Sequence, residues 1–180
     1  MNQYLRYANT SLVPYGEEHY EKSVEWLNDP NVYKLFGITR RITRQSHAEW
    51  VKSLNNTYMW AIYDVKHYKY CGNLLLFYNP IHRSAFFQIY LGDPQSRGKG
   101  LGESALIAMI NYAFENLNFH RIWLQVFPDN KKAIRLYEKL GFIYEGIERE
   151  SHYSEKKFKN QLRYSILKSE WNFGNEMIKG

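Results

Sequence analysis

Cysteine is almost missing from this chain: Cys71 stands alone among 180 residues. A lone cysteine excludes an intramolecular disulfide and a thiolate zinc site, and it agrees with a reducing compartment, so a cytoplasmic location is expected. Proline is scarce, at five, and no linker, internal repeat or low-complexity stretch interrupts the chain. No apolar run approaches the roughly 20 residues that a membrane span requires. The longest, "GNLLLFY" at 72–78, has the length of a strand, and no membrane partner is expected. The first residues, "MNQYLRYANT", lack the apolar stretch of a secretory leader. Two nucleotide signatures are absent as well. No Gly-Lys-Ser or Gly-Lys-Thr occurs, which removes a Walker loop, and the near-match to G-x-G-x-x-G that begins at Gly98 fails at Glu103.

What is present is apolar and aromatic. Apolar residues make up 44% and aromatics 17%, with 16 Tyr, 10 Phe and 5 Trp, enough for one sizeable core and a lined cleft. A single domain over 1–180 is expected, with its core at about 10–171. The net charge is +6, which suits an anionic partner. Lys and Arg are scattered, however, so a solvated basic surface is an equal reading, and no direct nucleic-acid partner is expected. The runs "KHYK" (66–69) and "EKKFKN" (155–160) read as charged hairpin tips.

Periodicity places the elements. "HYEKSVEWLND" has Tyr20, Val24 and Leu27 at helical spacing, and Asp29-Pro30 ends that helix. "TRQSHAEWVKSL" is a second helix with Thr43 or Ser46 as its cap. "TYMWAIYDV" and "CGNLLLFYN" form a hairpin, and "AFFQIYL" is a third strand. A helix from about Gly100 to Leu117, the strand "RIWLQVF", a helix capped by Asp129 or Asn130 and stopped at Gly141, and the strands "FIYEGIE" and "QLRYSIL" complete the chain. The fold class is α/β (α+β): a mixed, mostly antiparallel sheet with about four helices.

The stretch "SRGKGLGESAL" (96–106) alternates Gly98, Gly100 and Gly102 behind Arg97 and Lys99, then continues as a helix. Glycines there let successive N–H groups converge, and a helix N-terminus adds unsatisfied donors and partial positive charge. Together they make a site for an anion such as phosphate. A glycine-rich turn without a ligand remains the alternative at this point.

The chain resembles the GNAT superfamily of acetyl-CoA-dependent N-acetyltransferases. That family's phosphate loop, [QR]-x-x-G-x-[GA], is matched at every position by Arg97 to Gly102, and its later Asn and L-Y-x-K-x-G-F by Asn130 and Leu136 to Phe142. The likeness runs from about Leu12 to Trp171 and, in texture, is nearest to ribosomal-protein N-terminal and spermidine acetyltransferases. It implies a sheet splayed in the middle and acetyl-CoA as co-substrate, with no metal. The implied cofactor-binding residues are Ile89, Tyr90 and Leu91 on the splayed strand; Arg97, Gly98, Lys99, Gly100, Leu101 and Gly102 in the loop; and Asn130, Ala133, Tyr137 and Lys139. For Lys139 a solvated helix charge is the competing reading.

The resemblance also implies direct attack by the amine in a ternary complex, with Tyr137 as general acid toward the departing thiolate. A phenol near pKa 10 holds its proton at neutral pH; a core aromatic is the alternative. Many members carry a Glu before the loop as base, but Phe86, Phe87 and Gln88 occupy that stretch here. His82, Glu148 or a water chain remain as candidates, while Glu103 is expected to favour the helix dipole.

The expected acceptor is a small-molecule or peptide primary amine: a protein or peptide N-terminus, or a nucleotide-linked amino sugar. A basic chain with Phe86 where spermidine-type sequences have a Glu motivates that choice. The alternatives are a polyamine acceptor and a non-catalytic acetyl-CoA sensor. Trp26, Tyr33, Phe36, Trp50 and Trp60 are candidates for stacking on the acceptor or for the core. Arg40, Arg41 and Arg44 lie between the two N-terminal helices, placed to grip an anion or to remain solvated. A monomer or homodimer is expected.

Overall fold

The computed structural model describes residues 3–36, 38 and 40–173; the expected domain's remaining positions, 1–2, 37, 39 and 174–180, lie outside the described residues. The chain forms β1 (Leu5–Tyr7), β2 (Thr10–Pro14), α1 (Tyr20–Leu27), α2 (Pro30–Phe36) and α3 (Arg44–Ser53). It continues as β3 (Thr57–Asp64), β4 (Lys69–Asn79), β5 (Ser84–Leu91), α4 (Leu101–Asn111), β6 (Arg121–Val126), α5 (Lys131–Lys139), β7 (Ile143–Ser154) and β8 (Lys157–Leu167). All eight strands join one sheet in the order β1-β2-β3-β4-β5-β6-β8-β7. Every pairing is antiparallel except β5 with β6.

Helices cover both faces of the sheet centre, which explains the run "GNLLLFY". Cys71 to Leu76 of β4 are all buried, because no face of that strand meets water. On one face lies α4, in which Leu101 and Ser104 through Ile110 are buried. It packs with Leu12, Trp60, Phe87 and Ile122 in the main core. The helix finishes in a π-helical turn, Tyr112–Asn116. On the other face α1 to α3 cover a smaller cluster of Trp26, Val32 and Tyr90.

Five helices form among the described residues, against about four expected. The additional one is α2: Asp29 and Pro30 end α1 but also start a new helix. Asp29 Oδ1 accepts from the Asn31 N–H at 2.7 Å, and proline at the first helical position needs no amide donor. The short strands β1 and β2, absent from the periodicity reading, pair with each other and extend the sheet beyond β3. Thr43 caps α3, its hydroxyl accepting from the Ser46 N–H at 3.1 Å. Strands β7 and β8 run several residues longer than their apolar segments, because cross-strand pairing carries polar sequence out to a turn at Glu155 and Lys156. No helix among the described residues is long and apolar enough to cross a membrane.

Candidate active site

Strands β5 and β6 are paired over three rows only: Ser84 with Arg121, Ala85 with Ile122 and Phe86 with Trp123. Beyond Phe86, β5 continues to Leu91 bonded to β4 alone, so the sheet forks. At the fork Phe86 packs on Trp123, ring centroids 4.6 Å apart. Every second backbone N–H and C=O of Phe87 to Leu91 therefore faces a gap without a strand partner, a ready edge for an extended ligand.

The glycine loop closes one end of this gap. Gly98 and Gly100 have φ of +79° and +76°, and a Cβ on either would meet nothing within 4 Å, so the space above the backbone is open. Gly100 is the N-cap of α4, whose first-turn N–H groups project the same way. Arg97 is turned back onto the strand end: its Nε donates to the Leu91 carbonyl at 3.0 Å, and a terminal nitrogen donates to Gly92. Its guanidinium thus braces the loop. Lys99 is exposed in the loop and is not among the residues lining the cleft.

Opposite the loop stands α5. Asn130 caps it, Oδ1 accepting from the Ala133 N–H at 3.2 Å. Between loop and helix lies a cleft of about 520 Å³, walled by Ile89, Leu91, Leu101, Ala133 and Leu136. Lys132 and Arg135 also line it, cations that motif matching passed over. Lys139 reaches the cleft but is held by Glu103, its Nζ 2.7 and 2.8 Å from the two carboxylate oxygens. Glu103 is thereby neutralised beside the anion site. The donors, the open glycine positions and the paired carboxylate fit a pyrophosphate.

Tyr137 is buried, its ring edge-on to Phe87 and Phe142 at 5.8 and 6.0 Å. Burial raises its hydroxyl above the usual phenol range, because a phenolate there would lose its hydration. The group therefore holds a proton at any physiological pH. Tyr137, Ile89 and Asn130 line both the cleft and a second cavity of about 290 Å³ in the fork, so the two meet there.

From the fork, Gln88 and Phe36 lead into an aromatic pocket of about 260 Å³ that also takes in Trp50, Tyr90 and His47. A buried polar network stands behind its wall. Tyr15 donates to Ser23 Oγ at 2.7 Å, and Asn73 Nδ2 donates to Ser23 Oγ and the Tyr90 hydroxyl at 2.9 and 2.6 Å. The Tyr15 oxygen also lies 2.7 Å from His47 Nε2. Burial lowers the His47 pKa to about 4, so its imidazole is neutral near pH 7.

Neither expected base candidate reaches these cavities. His82 is exposed in the turn before β5, its N–H on Asn79 Oδ1 at 3.0 Å. Glu148 accepts from Gln125 and pairs with Arg163. Among the described residues no carboxylate lines the fork or the aromatic pocket. Of the five aromatics named for stacking, Trp26 and Trp60 are core, Phe36 and Trp50 line the pocket, and Tyr33 lines a neighbouring cavity. Arg44 belongs to the first turn of α3 and lines none of these spaces. His47 was overlooked because a single histidine on a helix carries no motif; only its burial and partners distinguish it.

Comparison with known proteins follows the same lines. A family model described as "Acetyltransferase (GNAT) domain" matches residues 10–143. Spermidine N(1)-acetyltransferase from Vibrio cholerae is 39% identical over 93 residues, covering 52% of this chain and 53% of that protein. An N-acetyltransferase 9-like protein from Nematostella vectensis is 30% identical over 145 residues, covering 73% of each chain. The chain thus spans about half the length of the spermidine acetyltransferase that it matches in sequence. In three dimensions, a crystal structure of V. cholerae spermidine N-acetyltransferase in complex with CoA and spermine superposes with a TM-score of 0.83 at 26% identity, covering 90% of this chain and 97% of that one.

Proposed function

Because this chain belongs to the GNAT acetyltransferase family, we propose that it acts as one unit that moves an acetyl group from acetyl-coenzyme A to a primary amine. The observation that carries this reading is the meeting of two cavities at a buried, protonated tyrosine in the fork. The amides of the loop and of α4's first turn receive the pyrophosphate, in a field strengthened by Lys132 and Arg135. The open edge of β5 at Ile89 to Leu91 takes the amide-bearing arm as an added strand would. Its N–H groups can then polarise the thioester carbonyl.

In the transfer, the amine nitrogen bonds to the acetyl carbon and the carbon–sulfur bond breaks. Tyr137 gives its hydroxyl proton to the departing sulfur, and solvent restores it. The incoming amine must be neutral. Desolvation in the pocket and the Arg40 guanidinium that lines it both disfavour an ammonium, lowering the amine's pKa on entry. Its surplus proton leaves to solvent, and no carboxylate base is required.

For the acceptor, the spermidine acetyltransferases among the relatives support a polyamine. A second reading, an amine on a peptide or amino sugar, is favoured by one observation: among the described residues no carboxylate lines the aromatic pocket to hold a polycation. Both are tested by incubating acetyl-CoA with spermidine, peptides and amino sugars and following thiol release. Thiol release dependent on at least one amine is expected. Acetyl-CoA binding without release for any amine would leave the non-catalytic sensor in place.

A further inference from the structure

The largest of the described cavities, about 760 Å³, lies between α1–α2 and the turn that joins β7 to β8. It shares Leu27, Ile38 and Arg40 with the aromatic pocket, so the two adjoin. Resting on the acetyltransferase reading, we propose that this outer cavity binds an anionic group, a phosphate or carboxylate, carried by the acceptor amine itself.

Charge is the first ground. Lys34, Arg40, Arg41 and Lys156 line the cavity against one carboxylate, Glu155. That carboxylate is already engaged twice, by Lys34 at 3.3 Å and Lys159 at 2.8 Å. Arg40 and Arg41, adjacent in sequence and both exposed, have no ion-pair partner among the described residues. Two unpaired guanidiniums at one cavity are a fork for a bidentate oxyanion.

Preorganisation is the second. Asn28 ties the segment that follows the arginines to α1: its Nδ2 donates to the carbonyls of Val24 and Ile42, both at 2.8 Å, and its Oδ1 accepts from the Ile42 N–H at 2.9 Å. Across the cavity the Glu155–Lys34 ion pair holds the turn against α2. The exposed Tyr153 and the partly buried Tyr33 offer ring surface for whatever links anion to amine.

A polyamine whose distal ammonium reached this cavity would meet Arg40, Arg41 and Lys156, whereas an amine with an acidic tail would set its anionic end against them. The test uses the full chain saturated with CoA, so that the pyrophosphate site is filled. Inorganic pyrophosphate and glutarate, the phosphate and carboxylate probes, are titrated by calorimetry into the parent and into Arg40→Ala/Arg41→Ala. At least one probe should bind the parent and bind the double variant ten-fold or more weakly; no binding to the parent, or equal binding to both, overturns the proposal. In parallel, kcat/KM is compared for glucosamine, glucosamine 1-phosphate and spermidine. Preference for the phosphorylated sugar, lost in the double variant with the KM for acetyl-CoA unchanged, is expected. Spermidine as the preferred acceptor overturns the anionic-acceptor proposal and leaves acetyl transfer intact. Absence of thiol release from every amine overturns acetyl transfer, and the calorimetric arm still decides the anion site.

Discussion

Tyr137 combines two properties that one aromatic residue rarely serves together. Its ring fills core space against Phe87 and Phe142, while the residue also lines two adjoining cavities. Tyr137→Phe removes the hydroxyl and keeps the packing. Turnover should fall by about 10²–10⁴-fold, the usual worth of general acid catalysis, with acetyl-CoA affinity and thermal midpoint unchanged. Steady-state kinetics beside calorimetric binding will check this, and an unaltered kcat would return Tyr137 to the core. Asn130 likewise has two ends. Its Oδ1 caps α5, and its amide nitrogen remains for a ligand in the cleft. Asn130→Ala should lose about 1 kcal/mol of stability, a fall of roughly 2–4 °C in Tm. Asn130→Asp keeps the capping oxygen, so its Tm should hold while its affinity for acetyl-CoA weakens. Equal Tm losses in the two variants would refute the division.

Among the elements, the loop from Arg97 to Gly102 depends most on its backbone. Gly100 needs its left-handed φ of +76° to turn the chain into α4, and the space above it is open. A Cβ there costs about 1–2 kcal/mol of conformational strain. Gly100→Glu adds a carboxylate at the anion site. The variant should fold, shown by an unchanged far-ultraviolet dichroism spectrum, yet bind acetyl-CoA at least 100-fold more weakly. Retained affinity would remove the phosphate assignment. The fork of β5 from β6 is a companion property of two elements: three paired rows hold the strands and the unpaired remainder of β5 supplies the edge.

Over the whole molecule, burial of neutral histidines makes stability depend on pH. His47 has its pKa lowered to about 4, and burial lowers His19 and His152 in the same direction. Above an unfolded pKa near 6.5 both states are neutral, so the contribution is fully present. As pH falls below 6.5 the unfolded chain takes protons that the folded His47 refuses, and stability declines until about pH 4. For His47 alone the loss is on the order of 3 kcal/mol or less. Urea midpoints measured at pH 7, 5.5 and 4.5 should fall steadily, with a shallower fall in His47→Gln. Identical slopes would mean that folding leaves the His47 pKa unchanged.

The sequence by itself determined the elements whose signals are local. Alternating glycines before a helix, Asn130 at a cap and the L-Y-x-K-x-G-F run are short-range patterns, and each element they predict is present in the structure. Helix α2 escaped because Asp29-Pro30 both stops one helix and starts another, and periodicity over seven residues is too short to separate the two. What only the tertiary structure decided depends on long-range company. Lys139 is taken by Glu103, thirty-six positions away. His47 stays neutral because it is buried against Tyr15 and Tyr20, which belong to other segments. Arg40 and Lys156 share a cavity wall only because the β7–β8 turn is carried across to α2. Local patterns record backbone preference, whereas the charge, protonation and neighbours of a side chain are set by segments that no short stretch of sequence contains.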